Sequence, residues 1–93
     1  MIIDARRLPA GASLDADICV IGAGAAGLTI ARHFAGSSHR ICLLESGGRG
    51  FEYRRQRLSR GALAGQEYEP LDLCRVRKFG GSTGKKGWGG WCK

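Results

Sequence analysis

The sequence predicts an α/β fold, and three observations predict it. The run Ile18-Cys19-Val20-Ile21 is short, apolar and β-branched, as a buried parallel strand is. The stretch GAGAAG follows at once, and Ala25 to Ala35 then reads as a helix stopped by Gly36. After Ser37-Ser38-His39, a second apolar run, Ile41-Cys42-Leu43-Leu44, ends on the acid Glu45. Residues 15–48 thus form a complete β-α-β unit of about 30 residues, the size such a unit requires.

Each part of that unit has a physical task. Gly22 permits the sharp turn out of the strand, Gly24 lets the backbone approach a pyrophosphate, and Gly27 lets the helix press against the sheet. Ala25 and Ala26 open the helix, whose free N–H groups and positive dipole end face the phosphates. Glu45 lies 18 residues after Gly27, at the end of the second strand, where a carboxylate accepts hydrogen bonds from both ribose hydroxyls. Glycine-rich turns alone are common. With strand, helix, second strand and acid in register, the reading is a Rossmann-like FAD- or NAD(P)-binding unit rather than an ordinary glycine turn.

Before this unit, residues 1–14 read as an extended leader in which Pro9 and Gly11 break any helix. After it, residues 49–93 read as a basic, glycine-rich continuation of the same domain. Ser46 opens the turn Ser46-Gly47-Gly48-Arg49-Gly50, whose amides face the ribose or phosphates or form a plain turn. A short helix is expected around Arg54–Ser59 and a loop over Gln66–Asp72, with Leu73-Cys74-Arg75-Val76-Arg77 compatible with a strand. A doubly wound sheet needs more strands than 93 residues supply, so the domain is expected to be incomplete and its strand edges unpaired.

Charge divides the chain. Residues 1–48 balance to zero, so residues 49–93, with eleven bases and four acids, hold the whole formal +7. That asymmetry suits a pyrophosphate or a nucleic-acid surface. The cluster Arg54, Arg55, Arg57 and Arg60 reads first as a solvated face. Of the four cysteines, Cys19 and Cys42 fall in the apolar strands as small core hydrophobes, and no CxxC pair supports a metal site. No run of 18 apolar residues spans a membrane, and the N-terminus lacks the apolar core of a secretory signal, so the expected compartment is the cytoplasm.

The second informative stretch is RKFGGSTGKKGWGGWC, residues 77–92. Six of the eleven residues from Gly80 to Gly90 are glycine, which suits an anion-binding nest with Ser82 and Thr83 as added donors. It is not a Walker loop, because Phe79 and Lys86 stand where a glycine and a Ser/Thr are needed. Trp88 and Trp91 between lysines are also placed to stack on bases. A glycine-rich tail without fixed structure is the rival to both.

The order GAGAAG, LLESGG, RVRKFGGST and WGGWC resembles the N-terminal flavin-binding segment of the glucose-methanol-choline (GMC) oxidoreductases, nearest its choline- and sugar-dehydrogenase-like branch. The resemblance implies FAD as cofactor, with Gly22, Gly24, Ala25, Ala26 and Gly27 at the pyrophosphate, and Glu45 and Ser46 at the adenosine ribose. Gly80, Gly81, Ser82 and Thr83 would then lie along the pyrophosphate and flavin. It implies oxidation of a small alcohol or sugar at CH–OH, with hydride passing to the flavin. Two departures stand out. The link Gly84-Lys85-Lys86-Gly87 lacks the Asn or His that sits by the flavin in relatives, and neither His33 nor His39 matches the family's catalytic histidine. The chain is therefore expected to be an N-terminal FAD-binding fragment, inactive alone toward alcohols. The alternatives are a small basic nucleic-acid-binding module, for which only weak, sequence-blind binding is expected, and an NAD(P) site.

Overall fold

A computed structural model describes residues 1–84; the WGGWC element, both tryptophans and Lys85 and Lys86 lie outside the described residues. Strand β1 (Ile18–Ile21), helix α1 (Ala25–His33) and strand β2 (Ile41–Leu44) follow one another in the expected order. The strands pair parallel, Ile18 opposite Ile41 through to Ile21 opposite Leu44. The α/β, Rossmann-like reading holds.

Local chemistry explains the joints. Gly22 leaves β1 at φ +101°, a backbone conformation that side chains rarely tolerate. Helix α1 then crosses close over β1 at Gly27. A Cβ there would overlap the carbonyl oxygen of Gly22 and lie 3.3 Å from Val20 Cγ1. The helix ends at His33, two residues short of the predicted Ala35, with Phe34 as its C-cap. Gly36 falls in the turn beyond, at φ +84°. At the strand entrances, Asp17 Oδ2 accepts from the Arg40 amide at 2.7 Å, and Arg40 Nη2 donates to Asp17 Oδ1 at 3.1 Å. Asp17 N donates in turn to Arg40 O at 2.9 Å. This clamp sets the register from the first residue pair.

Three expectations are corrected. The leader is not wholly extended: Ala5–Arg7 form a 3-10 turn capped by the Asp4 side chain. The two strands exist, but Cys19 is exposed and Cys42 half-buried, because α1 covers only the opposite face of this two-stranded sheet. The run Leu73–Arg77 is not a strand. A single helical turn, α3 (Leu71–Cys74), starts after Pro70, and its first bonds return to the Pro70 carbonyl. The helix expected near Arg54 is present as α2 (Tyr53–Gln56), continued by a 3-10 turn over Arg57–Ser59.

Between these turns, Gly61–Pro70 is an exposed excursion. Arg60 Nε and Asp72 Oδ2, 2.8 Å apart, tie its base together. Burial is shallow throughout. Among the described residues the buried apolar side chain is Ala23, the buried polar one Gln56. Ile21 remains 85% exposed on the uncovered face of the sheet. Among the described residues no helix is long and apolar enough to cross a membrane.

Candidate functional site

The site is built around Ala23, in the turn between β1 and α1. Its amide donates to Glu45 Oε2 at 2.8 Å, and its carbonyl accepts from the Gly80 amide at 2.8 Å. One buried residue thereby joins the glycine turn, the acid at the end of β2 and the second glycine loop. The Gly22 amide donates to the Leu44 carbonyl at 2.7 Å, extending the strand pairing into the turn.

At the helix end, Gly24 is the N-cap and supplies no side-chain cap. The first amide bonded along the helix is that of Leu28, to Gly24 O at 2.9 Å, so the amides of Ala25, Ala26 and Gly27 precede the intrahelical ladder. A Cβ added to Gly24 would meet nothing within 4 Å. Open space beside uncapped helical amides is the arrangement a phosphate needs.

Glu45 is half-buried and held from two sides. Its Oε1 accepts from the Gly47 amide at 2.7 Å and from Ser46 Oγ at 3.4 Å, while Oε2 takes the Ala23 amide. Each carboxylate oxygen has two lone pairs, so these bonds fix its direction and leave capacity for hydroxyl donors.

The second loop meets the first. Gly81, at φ +61°, is so close to the turn that a Cβ on it would lie 3.1 Å from the Gly24 Cα. Thr83 Oγ1 donates to Gly80 O, and Ser82 Oγ accepts from the Val76 amide at 2.9 Å. Phe79 N donates to Gly48 O at 2.9 Å, and a Cβ on Gly47 would overlap the Arg77 carbonyl and the Lys78 Cα. The Ser46–Gly50 segment is therefore more than a plain turn. It carries the Arg77–Phe79 backbone.

All the sequence-predicted residues, Gly22, Gly24, Ala25, Ala26, Gly27, Glu45, Ser46, Gly80, Gly81, Ser82 and Thr83, belong to these two loops, the first turn of α1 or the end of β2. His33 is at the far end of α1, about 13.5 Å along the helix from Gly24. His39 lies in the turn beyond.

Sequence reasoning missed Ala23, Arg55, Arg77 and Gln56. Arg77 Nη1 donates to Ser46 Oγ at 2.7 Å, and Arg55 Nη1 to Ser46 O at 2.8 Å, so one guanidinium of the expected solvated cluster and one from the expected strand converge on the residue after the acid. Arg55 also pairs locally with Glu52, but the bonds that bring Ala23, Gln56 and Arg77 into the site go to groups 16 to 57 residues away, which no local signal marks. Among the described residues no group of His, Cys, Asp and Glu could hold a metal ion.

The residues fit a dinucleotide: an uncapped helix end, a fixed carboxylate and a second glycine loop within contact. No curated protein and no solved structure matches the chain. The family model described as FAD dependent oxidoreductase (DAO) matches residues 17–78, from the foot of β1 to the entrance of the second glycine loop. The chain belongs to the FAD dependent oxidoreductase family, and its cofactor is FAD.

Proposed function

We propose that the chain is the FAD-binding segment of a GMC-type oxidoreductase acting on CH–OH donors. In this reading the amides of Ala25, Ala26 and Gly27 receive the pyrophosphate and Glu45 orients the adenosine ribose, with Ser46 beside it. Gly80, Gly81, Ser82 and Thr83 follow the cofactor toward the flavin. The observation that supports it best is the contact between the loops, with the Gly80 amide on the Ala23 carbonyl. A nucleotide-binding turn does not by itself need a second glycine loop, and the GGST element carries the likeness to that family. FAD, when bound, would supply the hydride acceptor. The residues here would bind and orient it; His33 closes α1 at the end opposite Gly24, and His39 lies in the turn beyond.

Calorimetric titration tests the reading. ADP and FAD are expected to bind the chain, and Glu45→Ala to weaken both by roughly 1.5–3 kcal/mol, the size of hydrogen bonds to a charged group. Equal affinities in two folded proteins remove Glu45 from the site. The donor class is tested by anaerobic flavin bleaching. The chain with FAD is expected to show no donor-dependent bleaching above free FAD. In any preparation that is reduced, choline, glucose or a primary alcohol is expected to act before an amine, and the reverse order overturns the assignment.

A further inference from the structure

We propose that Gln56 is a positioning residue that holds the second glycine loop against the nucleotide turn, and so sets how much more tightly FAD binds than ADP. This role rests on the proposed function, in which both loops contact the cofactor.

Gln56 ends α2, in the most basic stretch of the chain, yet is only 6% exposed. Its side chain is fully directed. Nε2 donates to the carbonyls of Asp72, at 2.7 Å, and Arg75, at 2.5 Å, and Oε1 accepts from the Arg77 amide at 2.9 Å. Both N–H groups of the amide are thus used on the segment that leads into the second loop. A carboxylate could not make the two donations, and a lysine could not accept the third bond. Only a primary amide of this length satisfies all three backbone groups.

The segment beyond Arg75 starts from that anchor. Val76, between the two anchored residues Arg75 and Arg77, donates its amide to Ser82 Oγ. Arg77 reaches Ser46 Oγ with Nη1 and Ser59 Oγ with Nε. Gly80 and Gly81 then arrive on Ala23 and Gly24. The side-chain bonds of Gln56 go to neither the turn nor Glu45, so its influence runs through the Arg75–Ser82 backbone. The adenosine half of the site, Glu45 and the end of α1, is held by separate bonds to Ala23 and Gly47. Loss of the Gln56 anchor should therefore loosen the second loop, still tied through Phe79 N to Gly48 O and Gly80 N to Ala23 O, and leave the first in place.

The test compares two ligands on the full chain. Kd for ADP and for FAD is measured by calorimetry for the wild type, Gln56→Met and Gln56→Glu, with circular dichroism to establish folding. The wild type is expected to bind FAD more tightly than ADP. Q56M leaves two carbonyls and an amide without their partner. It is expected to weaken FAD by about tenfold to a hundredfold, the effect of orphaned buried groups, with ADP, which would meet that loop only at its diphosphate, weakened less. Should Q56M not fold, Q56E decides: FAD preference lost at neutral pH and partly regained in acid, where the protonated carboxyl again donates. Equal weakening of ADP and FAD, or FAD preference unchanged in a folded variant, overturns the proposal. A wild type that binds ADP and FAD alike also overturns it, while sparing the role of Glu45. A wild type that binds neither defeats the parent reading instead.

Discussion

Asp17 and Arg40 stand at the feet of the two strands, 23 residues apart in the chain, and their pairing is a residue-scale device for register. The hydrogen bond from the Arg40 side chain, followed by that from its amide, holds the Asp17 carboxyl below its ordinary 3.8. A carboxyl that titrates lower folded than unfolded contributes stability above its ordinary pKa, and the contribution is lost as pH falls through the folded value. The pair is exposed, so solvent screens it and its main effect is on alignment. An NMR titration of the Asp17 carboxyl is expected to give a midpoint under 3.8, and one at 3.8 or above would show that the clamp is open in solution. Asp4, paired locally with Arg6 and brought down to about 2 by that side-chain hydrogen bond, joins no two elements and offers no such control over register.

The crossing of α1 over β1 belongs to the scale of elements. Gly27 is where the helix touches the strand, and backbone carbonyl stands where a methyl would go. Gly27→Ala must lift the helix or shift the turn, so a loss of about 1–3 kcal/mol is expected on overpacking grounds. Chemical denaturation checks it: an unchanged midpoint would mean that the helix does not rest on Gly27. This element pair was legible from sequence because its signals are local: glycine spacing, two apolar runs and an acid at the right remove. Gln56 was not legible. Its partners lie 16 to 21 residues onward and are backbone groups, which no residue type announces. The alternation of Leu73–Arg77 misled because a run that short, directly after Pro70, fits one helical turn as well as a strand. The cysteines were read as core because apolar parallel strands are ordinarily covered on both faces, whereas here one helix covers one face. Of the site, the GAGAAG half came from spacing, and the GGST half from its glycine content as an anion nest and from family likeness as a flavin contact. That the two touch is known only from the fold.

For the whole molecule, the imbalance of charge sets what else it will bind. Arg49, Arg54, Arg57 and Arg75 are exposed on the basic half. Arg55, Arg60 and Arg77 are committed to internal partners. Single-stranded DNA and RNA are expected to bind weakly, without sequence preference, and to be released at moderate salt as counterions return. A filter-binding series across salt concentration measures this, and tight binding to one sequence at physiological salt would displace flavin binding as the principal role. The excursion from Gly61 to Pro70 bears differently on the molecule. Because the Arg60–Asp72 bridge closes its base, the spacing between Gln56 and Arg75 does not depend on how many residues travel outside. Doubling a flexible loop costs only about 0.6 kcal/mol in closure entropy. This is therefore the place where the gene can gain or lose codons, or accept a spliced-in peptide tag, without the cofactor site registering the change.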